Sequence, residues 1–473
     1  MKTRNCLIAL VASCAIGVSS AGAQTYSLTD LGFLPNKKED VSTAAAVNNS
    51  GEVTGTSGGA VFRYSKEIME EIGQNPYGLS RGFGIDGSGQ VVGDSTFDKA
   101  GSFSRAALFS NGSVRDLGTL KGGGLFSRAN GINASGRVVG FTSETLDGDY
   151  GRAFIVDTKA QLGSRLGTSR QMVDLGTLGG QYAQAWGIND SGFVTGNSQI
   201  KSDVGAIHAF IWHKGTGMLD LGTLAGDFSY GTFINVNNHV VGYSTIDKEN
   251  DRVHAFLHDG KEMIDLGSLG GASRQSDRSF ALGVNVDDQV VGYSYLSGNW
   301  ENFAGPQQVA FVYSKGLMVN LNDLIGDSVK DYRLESATAI NDNGQIVAIA
   351  FVHSAGAYRA VLLTPAKEGA SPIELERREG KMQITYATYS GKGGILSVQV
   401  AYPAGTPSLT LPVLSVYETA SKTLIGTLKS KPGFNNLGTV TYFGSFTMKG
   451  KPQKITVMDN FGKTADADVK DIE

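Results

Sequence analysis

After Cys14 this chain has no cysteine, and the only other one is Cys6. The body can therefore form no disulfide, present no thiol nucleophile and bind no metal through thiolates. Positive charge is not in excess either. The formal net charge is −4, and removing Lys2 and Arg4 takes it to about −6. Without a basic stripe there is nothing to track a phosphate backbone, which argues against a nucleic-acid partner. Beyond the N-terminus no apolar run reaches membrane-spanning length, so no transmembrane segment is expected. The last residues, Asp466 to Glu473, are polar and carry no anchor pattern. Proline is scarce, with 10 residues against 64 glycines. With few helical periods visible, that balance suits many short strands joined by tight turns.

The N-terminus reads as an export signal over residues 1–23. Lys2 and Arg4 form a basic start, Leu7 to Val18 is mostly apolar, and Ala21-Gly22-Ala23 supplies a small-x-small cleavage pattern. The mature chain is then expected to start at Gln24 and to be secreted or periplasmic. A second reading stands beside it. Val11-Ala12-Ser13-Cys14 fits a lipoprotein cleavage box, which would anchor the protein through a lipidated Cys14. The roughly 450 residues that follow exceed one ordinary core, so two domains are expected.

Internal repetition organises most of that length. The segment Gly187-Ile188-Asn189-Asp190-Ser191-Gly192-Phe193-Val194-Thr195-Gly196 has six relatives. The Asn/Asp of the seven copies falls at 48, 86, 133, 189, 235, 285 and 341, in steps of 38 to 56 residues. That is the size of a propeller blade and too long for one coil of a β-helix. Each copy predicts four strands. Strand A ends at the Asn, and strand B is the Val-Val-Gly or Val-Thr-Gly segment. Strand C is typified by His208-Ala209-Phe210 and His254-Ala255-Phe256. Strand D ends in Asp-Leu-Gly, as at Asp116-Leu117-Gly118, Asp174-Leu175-Gly176, Asp220-Leu221-Gly222 and Asp265-Leu266-Gly267. Such short bounded runs of Val, Ile, Phe and Leu are what strands require.

Two features test this reading from within. The fourth position of the A–B turn should need positive φ, and its occupants are Gly51, Gly89, Gly136, Gly192, Asn238, Asp288 and Gly344. Five are glycine, and the other two are residue types that tolerate the left-handed region best. Ring closure is the second. The last copy stops after strand C, at Arg359-Ala360-Val361-Leu362-Leu363, while the mature N-terminus begins with an unattached Tyr26-Ser27-Leu28-Thr29-Asp30-Leu31-Gly32. The expected fold is an all-β, seven-bladed β-propeller over 24–366, closed by the N-terminal strand so that no edge stays open.

The His-Ala-Phe segment, the Gly-Ile-Asn-Asp-Ser-Gly turn and Asp174-Leu175-Gly176-Thr177-Leu178-Gly179-Gly180 resemble the HAF repeat of bacterial extracellular proteins. The likeness covers about residues 26 to 365 and is strongest in copies four and five. In copies one and seven, Gly59-Ala60-Val61 and Arg359-Ala360-Val361 stand in for the triplet, and copy six has Asn320-Leu321-Asn322 for Asp-Leu-Gly. The resemblance implies an extracellular location and a repeat architecture, and it carries over no catalytic residue. From about Ser371 the repeat vanishes. Some seven short alternating segments over 371–473, such as Ile395 to Val400 and Lys454 to Met458, predict an immunoglobulin-like β-sandwich.

The chemistry-bearing residues are sparse. His208 and His254 recur at one repeat position, which marks them as structural. His254 and His258 would share a strand face about 13 Å apart, too far to hold one ion. The Asn-Asp-Ser-Gly turns lack the bidentate acid of a calcium loop. No metal, cofactor or catalytic residue is assigned. In a propeller, the D-to-A loops surround the mouth of the central tunnel. Here they carry Tyr77, Arg81, Phe83, Phe126, Arg128, Tyr182, Trp186, Tyr230 and Arg333, among others. Aromatic faces beside arginines suit an acidic glycan or a protein ligand. The expected ligand site is Arg81, Arg128, Tyr182, Tyr230 and Arg333, with a long B–C insertion from Gly292 to Gln308, bearing Trp300 and Phe303, beside it. Two functions follow. One is a non-catalytic binding or scaffold module, expected to be monomeric. The other is a secreted polysaccharide lyase or hydrolase drawing on Asp227, Tyr182, Tyr230 or His353.

Overall fold

The computed structural model describes residues 25–366 apart from 36, 38–40, 74, 76, 100–102, 123, 145–150, 160–171, 202–204, 271–275 and 297–306, and then the strands that lie between 383 and 472. The export signal at 1–23, with Cys14, and the insertion residues Trp300 and Phe303 lie outside the described residues. Among the described residues there is no α-helix, and no helix is long and apolar enough to cross a membrane.

Residues 25–366 form a seven-bladed β-propeller. Each blade is a four-stranded antiparallel sheet, and the strands of blades one to six follow chain order. These six blades span 42–71, 80–118, 126–174, 179–220, 229–265 and 279–320. The seventh contains Tyr332–Ile340, Ile346–Val352 and Ala357–Pro365, with Tyr26–Asp30 in the fourth position. There Tyr26 pairs with Pro365 and Asp30 with Val361. Strand A is innermost, since each strand A touches strand A of the next blade, including that of blade seven against blade one.

The A–B turn behaves as its composition demands. All seven occupants of the fourth position have positive φ, from Asp288 at 58° and Asn238 at 66° to Gly192 at 88°. A second backbone constraint explains the glycine of strand B. Strand A carries a register shift in every blade, for example between Gly82 and Gly84 and between Ala185 and Gly187. Next to this bulge, strand A's carbonyl comes so close that a Cβ on Gly93, Gly196 or Gly242 would lie 1.8–1.9 Å from it. Blade seven has Ala348 at this position, and its strand A has a second shift between Leu334 and Ser336.

On strand C, the residue facing this glycine is a phenylalanine in five blades, while blade two has Ala107 opposite Gly93. Phe154, Phe210, Phe256 and Phe311 lie opposite Gly140, Gly196, Gly242 and Gly292, and all four are fully buried. Removing one such ring costs about 3–5 kcal/mol in a typical core. This register corrects one reading of the sequence. In blade one Phe62 lies opposite Gly55, so the triplet there is Ala60-Val61-Phe62 rather than Gly59-Ala60-Val61. Copy one thus keeps its phenylalanine, one residue later than its glycines suggest.

The turn Asn has a role the sequence does not display. Its Oδ1 accepts the backbone N–H four residues on, from Asn48 with Glu52 to Asn341 with Gln345, at 2.9–3.0 Å. Its Nδ2 donates to the carbonyl of the corresponding residue in the next blade. The links run Asn48 to Asp86, Asn133 to Asn189, Asn189 to Asn235, Asn235 to Asn285, Asn285 to Asn341 and Asn341 to Asn48. Five are 2.9–3.0 Å long and the fifth in that order is 3.4 Å. Only blade two departs, because Asp86 keeps the cap to Gln90 N–H but has no amide to donate.

The C-terminal strands form one hydrogen-bonded order of eight. It runs Thr464–Asp468, Lys454–Asp459, Leu414–Glu418, Leu424–Ser430, Thr439–Thr447, Ile395–Pro403, Gln383–Ser390 and Lys470–Ile472.

The amide links set the expected stability changes. Asn189→Asp preserves the turn cap but removes the link and sets a carboxylate against the Asn235 carbonyl and the Asn238 side-chain oxygen that the amide now serves, so it should cost about 1–3 kcal/mol. Asp86→Asn supplies the missing donor and should gain about 0.5–1.5 kcal/mol. Urea denaturation reads both; a stable Asn189→Asp protein, or a destabilised Asp86→Asn protein, would contradict the linking role.

Candidate functional site

The A–B turns define one face of the propeller, and the B–C and D-to-A connections define the other. Near the second face, strand A pairs with the residue that follows the glycine of strand B. The pairs are Thr43 with Thr56, Arg81 with Asp94, Arg128 with Phe141, Gln184 with Asn197, Tyr230 with Tyr243 and Phe280 with Tyr293. Backbone geometry asks nothing of these side chains, and here the blades differ. Blades two and three present arginines, and blades five and six present stacked aromatics.

From the sequence, Arg81, Arg128, Tyr182, Tyr230 and Arg333 are expected in loops. All five lie instead on strand A, in Ser80–Ile85, Phe126–Ile132, Gly179–Ile188, Ser229–Ile234 and Tyr332–Ile340. The ladder with strand B continues past the bulge and takes in Arg81, Arg128, Tyr230 and Arg333, while Tyr182 falls at a second irregularity between Gly179 and Ala183. They sit on rigid backbone, which fixes a binding geometry better than a loop would.

Neighbouring members of the set are joined through intermediate side chains. Arg128 lies 3.6 Å over the Phe83 ring and 5.6 Å from the Trp186 ring, and Arg81 lies 5.7 Å from Phe83. Asn197 accepts from Trp186 Nε1 at 2.6 Å and donates to the Tyr182 hydroxyl at 2.8 Å. Tyr230 stacks on Tyr243 at 4.9 Å, Tyr243 meets Phe280 at 4.9 Å, and Phe280 stacks on Tyr293 at 4.7 Å. From Tyr295 the path runs through Gln308 to the Glu335 carbonyl, and Arg333 is bonded to the Glu335 carboxylate.

The three arginines are not equivalent, which corrects their treatment as one cationic set. Arg81 is bidentate on Asp94, at 3.0 and 2.5 Å. Arg333 is held by Glu335 and lies 5.2 Å from the Phe351 ring. Both charges are thus met within the protein. Arg128 has ring faces around it but no hydrogen bond or ion pair among the described residues, and its Nε is buried without a partner. Buried Nε atoms also occur in Arg63, Arg105 and Arg152, each with a carboxylate on its terminal nitrogens, and in Arg115 and Arg278, whose terminal nitrogens donate to backbone carbonyls. Burial pushes the Arg128 guanidinium down to about 10, with Asp94 opposing and nearby Arg81 adding to the fall. It remains charged at neutral pH.

Arg128 lines a cavity of about 280 Å³ walled by blades two, three and four, with Arg81, Asp94, Phe126, Phe141, Gln184 and Trp186 among its walls. A larger cavity of about 390 Å³ on the turn face is lined by Glu52, Lys66 and small residues and has no aromatic wall.

The repeat's polar motif residues are structural. The residue that opens strand C pairs with the strand D aspartate: Arg105 with Asp116, Arg152 with Asp174, His208 with Asp220 and His254 with Asp265, at 2.5–2.8 Å. The same aspartate accepts the N–H of the glycine two residues on. That glycine's carbonyl then accepts from a serine of the next strand A, as with Ser127, Ser229 and Ser279. These serines belong to no motif read from the sequence, although they begin a strand at matching positions, a signal that could have found them. His254 also reaches Asp277 through Nε2 at 2.9 Å. No group of three or more His, Cys, Asp or Glu that could hold a metal occurs among the described residues.

Residues 179–360, from the start of blade four to strand C of blade seven, match a family described as "Protein of unknown function (DUF3466)". No curated protein matches the chain. Among solved structures, the chain is similar to the β-propeller domain of the Trilobed protease from Pyrococcus furiosus, which is described as having an open velcro topology. That likeness has 13% identity and a TM-score of 0.41, and covers 72% of this chain and 95% of that one. The chain is also similar to the extracellular domain of the putative one component system BT4673 from B. thetaiotaomicron, at 9% identity and a TM-score of 0.35. It covers 94% of this chain and 59% of that one.

His254 provides a pH test. Burial opposes its charge, but the hydrogen bonds to Asp265 and Asp277 outweigh burial and raise its pKa. A raised folded pKa means that the stabilisation is fully present below the unfolded value of about 6.5 and is lost as pH rises through the folded value. The stability gap between the native protein and His254→Gln should therefore be larger at pH 6 than at pH 9. A gap that is constant or grows with pH would contradict a charged His254.

Proposed function

We propose that this protein is a non-catalytic binding module of the cell exterior or periplasm. Its ligand is anionic and seats on the loop face where blades two, three and four meet around Arg128. The observation that carries this is Arg128, a charged and largely buried guanidinium that lacks a hydrogen-bond partner among the described residues and lines a cavity. A buried charge without a partner is costly, and an anionic ligand would meet that cost. Arg81 orders the cavity wall through Asp94, Tyr182 and Tyr230 extend an aromatic surface along the next blades, and Arg333 sits farther round the same face.

A polysaccharide-degrading enzyme would need a free acid or base there. Asp227 is engaged with Asn250 at 2.9 Å, the Tyr182 hydroxyl accepts from Asn197, and burial raises the Tyr230 pKa. Binding is therefore the better-supported reading. Its test combines an acidic-glycan array with a degradation screen on the purified protein. Retention of an acidic ligand, weakening as salt rises, without product release is the expected result. Released products would overturn the non-catalytic reading, and no retained ligand would overturn binding.

The architectural part of the proposal is that Tyr26–Asp30 closes the ring of HAF-like repeats and that 371–473 is an immunoglobulin-like sandwich. Closure is supported by the motif around Asp30. Gly32 N–H donates to Asp30 at 2.8 Å, Ser42 donates to the Gly32 carbonyl at 2.5 Å, and Ala360 N–H donates to Ser42 at 3.0 Å. These are the contacts that strand D makes in other blades. The sandwich is supported by Leu424–Ser430, which pairs first with Leu414–Glu418 and at its last two residues with Thr439–Thr447, as a strand changing sheets does. Deleting 26–32 should expose the edge of blade seven and sharply lower the melting temperature. Native-like melting would reject closure by this strand.

A further inference from the structure

We propose that the cavity walled by blades two, three and four takes one carboxylate carried on a sugar ring, the chemistry of a hexuronic acid residue in an acidic polysaccharide. This rests on the binding reading above and names its ligand class. Three observations carry it.

The first is a count of charge. Of the ionisable groups lining the cavity, Arg81 and Asp94 are bonded to each other through both carboxylate oxygens, and Arg128 alone has its charge unmatched. One unmatched cation in a confined site calls for a monoanion. A phosphate monoester or a densely sulfated chain would bring surplus negative charge beside Asp94. The fork of a guanidinium also matches a carboxylate in two parallel hydrogen bonds. Stacking on Phe83 covers the face of Arg128 but satisfies none of its N–H groups.

The second is the wall. Trp186, Phe126 and Phe141 line the same cavity, and Phe141 lies 6.4 Å from Trp186 at a tilt of 50°. Trp186 cannot turn freely, because its Nε1–H is fixed on Asn197. Such aromatic faces accept the C–H faces of a pyranose ring, and the Gln184 amide and Ser104 hydroxyl on the same wall suit its hydroxyl groups. A volume of about 280 Å³ suits a single ring. The aromatic run through Tyr230, Tyr243 and Phe280 gives neighbouring sugars a surface along the same face.

The third observation separates a sugar acid from a peptide C-terminus. Capture of a terminal carboxylate uses a nest of free backbone N–H groups. In this cavity Arg81, Asp94, Phe126, Arg128, Phe141, Gln184 and Trp186 all lie on strands paired within their blades, so recognition falls to side chains.

The experiment titrates the full chain, following tryptophan fluorescence and calorimetry. The probes are oligogalacturonate and oligoglucuronate, their methyl esters, neutral oligosaccharides of the same linkage, and N-acetyl-tryptophan as an aromatic carboxylate without a sugar. One of the two free-acid oligosaccharides should bind, with at least a tenfold loss for its methyl ester and in Arg128→Met. Arg128→Lys, which keeps the charge and loses the fork, should fall between, and Trp186→Leu should weaken binding at least several-fold. Melting curves of each variant show that it is folded. Equal binding of the neutral or esterified oligosaccharide, or unchanged affinity in Arg128→Met, would overturn the proposal. Binding of N-acetyl-tryptophan through Arg128 with no uronide binding would overturn the sugar class and leave the binding reading standing. No binding of any acidic probe, including the acidic-glycan array, would overturn both.

Discussion

The carboxamide of the turn asparagine meets two demands with one side chain. Its oxygen closes the A–B turn of its own blade, and its nitrogen reaches the carbonyl of the corresponding residue in the next. A propeller blade has no covalent tie to its neighbour at this level beyond the chain itself, so side-to-side contacts must set the angle between sheets. Each of these carbonyls already accepts the N–H of its own turn's fourth residue, as Asn235 does from Asn238, so the link is a second bond, which contributes about 0.5–1.5 kcal/mol in a typical case. The links therefore favour one spacing between turns and penalise others. Asn341 to Asn48 belongs to the same series, so the first and last repeats meet by the contact that joins the rest.

From that rim the blades follow as backbone consequences. The strand A bulge re-aims the chain next to the tunnel, and its carbonyl then leaves no room for a Cβ on strand B. In five blades a phenylalanine of strand C fills the other side of the glycine. At four junctions a serine of the next strand A joins the strand D glycine carbonyl to a strand C amide near the opposite face. Motif residues that look like candidates for chemistry, the histidines and aspartates, are occupied in this framework.

With both rims committed to assembly, freedom to vary is left to the side chains at the start of strand A. There the seven-fold regularity breaks into arginines on one side and aromatics on the other. The seam between blades two and three is distinctive at both ends. On the turn face Asp86 leaves out the amide link, and on the loop face Arg128 lines its cavity without a partner among the described residues. A ligand bridging Arg128 and the neighbouring walls would add contacts at the one seam whose turn residue cannot donate.

Much of this was legible in the order of residues. Turn spacing and the demand for positive φ at positions such as Gly192 and Asn238 follow from local sterics, which act within a few residues and are written in residue type. Repeat count, blade size and the five candidate side chains follow from that periodicity. Other features were not legible, because they depend on which residues face each other across separate strands. That Phe62, not Val61, continues the phenylalanine series is a matter of strand register. That Arg81 is neutralised while Arg128 is not depends on Asp94 and on the absence of an equivalent acid opposite Arg128, where Phe141 stands, whereas Glu335, two residues from Arg333 on the same strand, is a local partner. Hydrogen bonds and ion pairs between residues tens of positions apart are decided by tertiary packing. The sequence by itself determined the repeat and its turns, and only the tertiary structure decided that Arg128 has no hydrogen bond or ion pair among the described residues, because partners across strands are set by packing.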